Sequence, residues 1–238
     1  MQIFVDFYKY FEAGFNYIFT RWERVSPFFT EHLRVSIISL VIAFIIAFPI
    51  GLLLSRVKWL STPVLGFLNI LYTIPSLAFL ALLVPVFGLQ SLTTIVVLIA
   101  YSQTMLVRNI ALGFNGIDPS VLESARGMGM NSWQVLRRVE LPLAAPVIVA
   151  GLRVSTLVII SIATIGAWAG AGTLGKLLQQ DNPRLNAAGI ICVVLMALVA
   201  DQLYRLIERA ATGYRRKKTP NDRQIASDAA TLVEVKTA

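Results

Sequence analysis

The sequence predicts an all-α integral membrane protein. Of its 238 residues, 56% are hydrophobic and only 14% are charged, whereas about a quarter of the residues in a soluble domain are charged. Residues 59–107 contain no Asp, Glu, Lys or Arg, and this stretch is far longer than the roughly 20 residues of one spanning helix. The apolar blocks lack the two-residue alternation of a membrane β-barrel, so we expect helices.

Five apolar blocks are long enough to cross a bilayer. They cover residues 35–54, 64–84, 91–107, 143–168 and 185–203. The sequence FGLQS between the second and third blocks leaves room only for a tight turn, whereas the linker between the third and fourth blocks is long. We therefore expect a transmembrane domain over residues 35–207 with one extended loop at 114–142.

The two ends of the chain differ from this domain. In residues 1–34, an apolar stripe at helical spacing predicts an amphipathic helix, which either lies in the outer membrane interface or packs on the helix bundle. The stripe comprises Phe4, Phe7, Tyr8, Phe11, Phe15, Ile18 and Trp22. Residues 208–238 include the four adjacent cations of YRRKK and few apolar residues at first, which predicts a disordered tail.

Basic residues predict the orientation of the chain. With the N-terminus outside, 14 Lys and Arg residues fall in the inside segments and 6 in the outside segments. Cytoplasmic loops carry the excess of basic residues. The sequence therefore predicts an outside N-terminus, a cytoplasmic C-terminus and a cytoplasmic position for the loop at 114–142.

This loop carries the signals of two short helices. Asp118 followed by Pro119 is typical of a helix start, because Asp caps free amide groups and Pro is tolerated at the first helical position. Gly127 and Gly129 tolerate positive φ and predict the end of that helix. Asn131 with Gln134 three residues later indicates a capping box at a second helix start. By these caps alone, the segment is equally consistent with an ordinary loop between membrane helices.

The spacing of the loop residues resembles the EAA signature of permease subunits in binding-protein-dependent ABC importers. The matching positions are Glu123, Ser124, Ala125, Gly129, Val139, Leu141 and Pro142. Ser124 replaces an alanine of the family pattern and Val139 an isoleucine. The resemblance implies that the first short helix docks on a separate ATPase subunit. Glu123 would then contact the ATPase, Ala125 would be the close-packing position and Gly129 the turn. Ser124 and Gly127 would keep the side chains on that helix surface small.

Two further segments resemble a subclass of these permeases. TIPSLA, followed by FG, is similar to the permeases that import osmoprotectants such as glycine betaine, choline, carnitine or proline betaine. Pro75 lies in this segment and predicts a bend in the second span, with Thr73 and Ser76 bonding the freed carbonyls. GAWAGAGTLG resembles the end of the fourth span in the same permeases and in methionine permeases, although Thr173 stands where the pattern has glycine. The resemblance makes six residues candidates for the translocation path or its gate: Tyr72, Pro75, Ser76, Gly170, Gly172 and Gly175.

Other function classes find less support in the residues. The sequence has no phosphate-binding GxxxxGK[ST] motif, so we expect ATP and Mg²⁺ to bind the ATPase partner and no cofactor or metal to bind this chain. The only histidine, His32, is placed outside the first span, so no metal or catalytic cluster is expected in the membrane. Ion-coupled carriers need buried ionisable groups, but Asp201 is expected to pair with Arg205, and Arg153 to extend toward the cytoplasmic interface.

We therefore expect a non-enzymatic permease subunit for a quaternary-amine osmoprotectant. Its partners would be ATPase subunits, a second permease copy or paralogue, and a substrate-binding protein outside the membrane, with no role for nucleic acid. The alternatives are a permease for methionine or another amino acid, an ion-coupled secondary carrier, and a membrane scaffold that transports nothing.

Overall fold

The structure is a computed structural model that describes residues 2–212. Within that range the chain is helical, with no strand. The helices are α1 (Gln2–Thr20), α2 (Trp22–Arg56), α3 (Lys58–Thr73), α4 (Ser76–Phe87), α5 (Ser91–Asn115), α6 (Pro119–Gly127), α7 (Ser132–Val135), α8 (Leu141–Ile165), α9 (Gly175–Leu178) and α10 (Pro183–Thr212). A π-helical turn, Leu136–Glu140, joins α7 to α8, and a 3₁₀ turn, Gly166–Ala169, follows α8.

The predicted spans are found in this helix set. Four helical segments in the described part of the chain are long and apolar enough to cross a membrane: Trp22–Arg56, Ser91–Asn115, Ser132–Ala169 and Pro183–Arg209. The predicted second span is instead a helix pair, α3 and α4, whose axes differ by 92° across a short break. The bend predicted at Pro75 is therefore confirmed, and at 92° it is large enough to make the pair either one broken span or a re-entrant loop.

The first span begins earlier than the sequence predicts. The helix α2 starts at Trp22, so the boundary expected after residue 34 falls inside it. Pro27 and Pro49 lie within this helix. His32, which was placed outside the first span, is a buried residue of α2, and that prediction is wrong. The tail from residue 213 onward, with its predicted disorder, lies outside the described residues.

The N-terminal helix packs on the bundle, which was the second of the two expected placements. The helix α1 lies along α10, and the two approach closely at Gly14. A Cβ atom on Gly14 would lie 2.5 Å from the Cβ of Ala187. Other apolar side chains of α1 remain exposed, among them Phe4, Phe7 and Phe19. The helix therefore uses its small residue for packing and presents aromatic rings outward.

The helices α2, α5 and α8 form the centre of the bundle. Small residues permit their close approach, as is common between membrane helices. A Cβ on Gly51 of α2 would lie 2.6 Å from Ile110 of α5, and one on Gly151 of α8 would lie 2.5 Å from Asn109 of α5. The side chain of Gln103 also donates to the carbonyl of Ala43 at 3.1 Å. Leu122 of the loop and Leu65 of α3 pack against this centre, which thereby positions both the loop and the broken span.

Candidate functional site

The first loop helix starts as predicted. The carboxylate of Asp118 accepts a hydrogen bond from the Ser120 amide at 2.9 Å, and Pro119 occupies the first turn of α6. Hydrogen bonds from the backbone and side chain of Ser120 lower the pKa of Asp118 below its ordinary value. Asn131 and Gln134 form a reciprocal capping box at the start of α7, with both bonds at 2.9 Å. The two predicted caps are therefore confirmed.

Only one of the two predicted turn glycines adopts positive φ. Gly129 has φ of 81° and lies between α6 and α7. A Cβ there would meet no atom within 4 Å, so the backbone conformation alone demands glycine. Gly127 is the last residue of α6 and is absent from the positive-φ residues of the described chain. The predicted end of the helix at Gly127 is confirmed, and the positive φ that glycine tolerates is used only at Gly129, two residues later.

The signature residues on α6 divide between two faces. Glu123 is exposed, and Ser124 is exposed with its hydroxyl donating to the carbonyl of Ser120 at 2.8 Å. Ala125 is fully buried within its own subunit, and its carbonyl accepts from the amide of Met130. Ala125 thus holds α6 against the rest of the loop. Close packing against an ATPase would require Ala125 to lie on the outer surface of the subunit, and it does not.

Large apolar side chains project from this polar loop, and the sequence analysis missed them. Met128 is 71% exposed and Trp133 is 65% exposed. Val121 on α6 is also exposed. Exposed apolar groups in an aqueous loop are typical of a protein contact surface. The signal was present in the sequence, since Met128 and Trp133 flank the turn at Gly129, but the motif match drew attention to small residues only.

The loop continues without interruption into the membrane. Ser132–Ala169 forms one helical segment, in which the π-helical turn Leu136–Glu140 precedes α8. Val139 and Leu141 are half-buried, and Pro142 is exposed near the start of α8. Because the π-helical turn runs directly into α8, Pro142 removes one amide donor from within a continuous helix. A displacement of the loop therefore reaches the membrane helix through a continuous backbone.

A buried ion pair lies at this junction. Glu140 is 2% exposed, and its carboxylate accepts a hydrogen bond from the guanidinium of Arg56 at the end of α2. The two residues border a cleft of about 580 Å³ that Arg126 and Asn131 also line. The sequence analysis did not find this pair, because nothing in the sequence links residues that are 84 positions apart.

A second charged cluster joins α8 to α10. The guanidinium of Arg153 lies 2.5 Å from the carboxylate of Asp201 and 3.6 Å from that of Glu208. Asp201 also pairs with Arg205 at 2.8 Å, as predicted. The sequence analysis did not predict these partners of Arg153, which two carboxylates of α10 hold. Asp201 is thus neutralised twice and does not remain free for ion coupling.

The second span breaks at Ile74 and Pro75. The helix α3 ends at Thr73, and α4 begins at Ser76. Pro75 has no amide hydrogen, and the hydroxyl of Thr73 donates to the Asn69 carbonyl at 2.9 Å. The carbonyl of Ile74 accepts a hydrogen bond from the hydroxyl of Tyr101 on α5. A side chain from a neighbouring helix therefore provides the hydrogen bond for a carbonyl at the break. The sequence analysis had considered only Thr73 and Ser76 for this role.

An open groove of about 510 Å³ lies at this break. Three of the predicted path residues, Tyr72, Pro75 and Ser76, line it together with Tyr101 of α5 and Ser161 of α8. The ring centroids of Tyr72 and Tyr101 are 5.6 Å apart, with their planes inclined by 55°. Among the described residues that line the groove, none is charged.

The three predicted glycines lie elsewhere. Gly170 has φ of 87°, and a Cβ on it would lie 2.5 Å from the Leu89 carbonyl group, at the turn between α4 and α5. A Cβ on Gly175 would lie 1.8 Å from the Thr164 carbonyl oxygen. Gly172 is near Glu31. The structure therefore does not bring Gly170, Gly172 or Gly175 to the groove with Tyr72, and Gly170 and Gly175 serve tight packing after the fourth span.

Thr173 fits the position where the resembled pattern has glycine. Its side chain is fully buried, and its hydroxyl donates to the Ala163 carbonyl at 2.8 Å. The added side chain is thus accommodated, with its polar atom bonded back to the end of α8.

In the part of the chain that the structure describes, no three His, Cys, Asp or Glu side chains come together as a metal site.

Several spanning helices, a broken helix pair and a capped loop that runs into a membrane helix define a polytopic transport permease. The chain belongs to the family of binding-protein-dependent transport system inner membrane components, whose family model matches residues 39–213. It is therefore a multi-pass inner membrane protein and a transport subunit. Permeases of this family work with an ATPase and a substrate-binding protein.

Several relatives match most of the chain. It is 39% identical over 186 residues to the glycine betaine/carnitine/choline transport system permease protein OpuCB of Bacillus subtilis, covering 76% of this chain and 86% of that protein. It is 37% identical over 210 residues to the carnitine transport permease protein OpuCD of Listeria monocytogenes, covering 86% and 94%. The osmoprotectant import permease protein OsmW of Salmonella typhimurium is 37% identical over 191 residues, with 76% and 89% covered.

The fold matches a solved ABC importer. A chain of the methionine ABC transporter MetNI, in an inward-facing conformation, superposes with a TM-score of 0.72 over 79% of this chain and 96% of that chain. The sequence identity between the two is 23%. The likeness confirms the predicted all-α fold of the methionine-permease type.

Proposed function

We propose that this permease carries quaternary-amine osmoprotectants such as glycine betaine, choline, carnitine or proline betaine into the cell. The observation that carries the proposal is the extent of similarity to permeases with such cargoes, at 37–39% identity over 76–86% of the chain. The neutral groove beside Tyr72 and Tyr101 supports it, because aromatic rings attract quaternary ammonium groups. A methionine or amino-acid cargo is the alternative, and the MetNI likeness supports only the fold.

We propose that the loop from Glu123 to Pro142 transmits ATP-driven motion from an ATPase subunit. The exposed Glu123 and Ser124, with Met128 and Trp133 beside them, form the contact surface. Gly127 ends the helix, and Gly129 makes the turn. Val139, Leu141 and Pro142 carry the displacement into α8. ATP and Mg²⁺ bind the ATPase, and this chain performs no hydrolysis of its own.

We propose an outside N-terminus and a cytoplasmic C-terminus, with the ATPase below and the binding protein above. The excess of basic residues on the assigned inside supports this orientation. A second permease, either a copy of this chain or a paralogue, completes the path beside the groove. Single cysteines placed at Gln90 or Asn182 should react with an impermeant thiol reagent added outside, and one at Asn131 should not. Labelling in the opposite sense reverses the assignment.

The cargo is tested by uptake in cells that lack this chain. Uptake of radiolabelled glycine betaine, choline and carnitine is measured during osmotic stress, with labelled methionine as the matched control. We expect quaternary-amine uptake to be lost and methionine uptake to be unchanged, and the opposite pattern supports the alternative cargo. Deletion of the partner ATPase should have the same effect as deletion of this chain. Uptake that instead depends on an ion gradient at constant ATP contradicts the mechanism.

A further inference from the structure

We propose that the groove at the break between α3 and α4 is itself a binding site for the cationic head group of the cargo. The groove is lined by Tyr72, Thr73, Ile74 and Pro75 at the break, by Tyr101 of α5, and by Ser161 of α8. The site takes a trimethylammonium group and adds a recognition step to the one performed by the binding protein. This inference rests on the proposed cargo class.

The two tyrosine rings provide the attractive surface. Tyr72 and Tyr101 both line the groove, and their planes, inclined by 55° at a centroid distance of 5.6 Å, form a corner in which the ring of Tyr72 is the more exposed. Phe79 packs behind Tyr101 with a centroid distance of 5.9 Å. A cation within about 6 Å of an aromatic centroid is attracted by the ring, and the attraction is stronger where water is excluded. The corner matches this geometry without a carboxylate.

The hydrogen bond that Tyr101 makes within the fold explains the position of Tyr101 but not the exposure of Tyr72. The hydroxyl of Tyr101 closes the break by bonding the Ile74 carbonyl, and the residue is only 5% exposed. Tyr72 is 38% exposed, and its ring faces the space between the helices. The first ring is held in place by the break, and the second is available to a ligand beside it.

The broken helix places backbone carbonyl oxygens at the groove, next to the N-terminus of α4, whose dipole has the opposite sign. The last turn of a helix carries carbonyl oxygens without intrahelical donors and the negative end of the helix dipole. In α3 this turn ends at Tyr72 and Thr73, both of which line the groove. Pro75 contributes no amide hydrogen, and α4 departs at 92°. Half-helix C-termini coordinate cations in membrane transporters in the same way.

The depth and the neutral lining suit passage of a cation. Tyr101 lies within the middle part of α5, which runs from Ser91 to Asn115, so the groove is distant from both ends of that helix. A fixed carboxylate would hold a cation strongly, whereas rings and carbonyl dipoles hold it weakly enough to be released, as conduction requires. The groove therefore favours cations while remaining a step along a path.

Ligand binding to the full-length permease in lipid nanodiscs tests the site. Saturation-transfer NMR is recorded with choline and with its uncharged isostere, in which a tert-butyl group replaces trimethylammonium. We expect choline to bind and the isostere to bind at least about tenfold more weakly. Tyr72→Ala should weaken choline binding about three- to tenfold, from the usual strength of a cation–π contact. Tyr72→Phe should retain it, because the ring remains.

A matched control comes from the same helix. Phe67 is exposed on α3 and does not line the groove, so Phe67→Ala should bind choline like the wild type. The inference is overturned if the wild-type permease binds no choline, if choline and its isostere bind equally, or if Tyr72→Ala binds choline as the wild type does.

Uptake separates this inference from the proposed function. If deletion of the chain abolishes quaternary-amine uptake but Tyr72→Ala transports and binds choline normally, the site is wrong and the function stands. If deletion leaves uptake of these compounds intact, the proposed cargo itself is wrong. If the site is correct, Tyr72→Ala should lower the maximal uptake rate at saturating binding protein, while the affinity of the binding protein for its ligand is unchanged.

Discussion

The guanidinium of Arg56 pairs with the buried carboxylate of Glu140, and this ion pair ties the end of the first spanning helix to the π-helical turn below α8. The helices α2 and α8 also pack against each other, so the loop that enters α8 is fastened to α2 as well. A loop displacement would therefore act on both α2 and α8. Coupling through α8 alone, as the signature motif implies, describes only one of these two connections.

The unequal burial of this pair predicts unequal effects of mutation. The side chain of Glu140 is 3% exposed, and that of Arg56 is 46% exposed. Arg56→Ala leaves a buried carboxylate without its partner, which costs about 3–5 kcal/mol. Glu140→Gln leaves an arginine that water can reach and should cost less. We expect thermal unfolding in detergent to rank the variants in this order.

The double variant Arg56→Ala, Glu140→Gln provides the control. It removes the buried charge together with its partner, so it should unfold at a higher temperature than Arg56→Ala alone. A double variant as unstable as the sum of the two single variants would show that the two side chains act independently. Such a result would contradict the buried ion pair as a connection between α2 and α8.

The sequence was sufficient to predict the features that depend on local chemistry. The caps at Asp118 and Asn131, the positive φ at Gly129 and the pairing of Asp201 with Arg205 each involve residues within four positions. The apolar blocks located the spans because helices in a bilayer satisfy their own backbone groups. These predictions required no knowledge of which helices are neighbours.

The features that were missed depend on contacts between distant segments. Arg56 meets Glu140, and Arg153 meets Asp201, only after α2, α8 and α10 have packed together. Pro75 predicted a disturbed helix, but the 92° break also requires a donor for Ile74, which Tyr101 supplies from another helix. Ala125 matched the motif, yet the folding of the loop turns it inward. Sequence spacing alone does not determine these relationships.

The exposed apolar residues of the loop predict where the ATPase binds most strongly. Trp133 is 65% exposed, and tryptophan is enriched among residues that dominate binding energy. Trp133→Ala should weaken the association with the ATPase at least about tenfold, as measured by co-purification and titration. Glu123→Lys should have a smaller effect that salt partly restores, because the charge lies at an exposed rim.

An exposed aromatic residue outside the loop is the control for this comparison. Trp59 is 76% exposed near the start of α3 and does not belong to the loop. Trp59→Ala should therefore leave the ATPase bound as in the wild type. Equal loss of ATPase from the Trp59 and Trp133 variants would point to a general defect in the subunit and contradict the loop as the contact surface.

The helix break predicts a specific effect of changing Pro75. Pro75→Ala restores an amide hydrogen at the break and favours a straighter path from α3 into α4. The rings of Tyr72 and Tyr101 would then lose their present arrangement, and uptake should fall while the protein still inserts in the membrane. Transport assays in vesicles with matched protein amounts measure this. Normal uptake over a full range of substrate concentrations would show that the break serves folding alone.

The two loop glycines predict the sharpest contrast between coupling and folding. Gly129 has φ of 81°, and a valine there meets the steric penalty of a β-branched residue in the left-handed region, about 1–3 kcal/mol. The turn between α6 and α7 should shift, which would displace Met128 and Trp133 from the contact surface. In reconstituted vesicles, Gly129→Val should lower ATP hydrolysis and uptake together and weaken co-purification of the ATPase, with expression near that of the wild type.

Gly127 makes this test specific. It is a helical residue outside the positive-φ set, and a Cβ there would meet no atom within 4 Å, so Gly127→Ala should be tolerated or slightly stabilising. Both positions lie on the same exposed loop, but only Gly129 has a backbone conformation that requires glycine. If Gly127→Ala lowers coupling while the complex stays stable, the surface of α6 needs glycine for close approach to the ATPase. Full stimulation of ATP hydrolysis and a stable complex in Gly129→Val would refute the role of this turn in coupling.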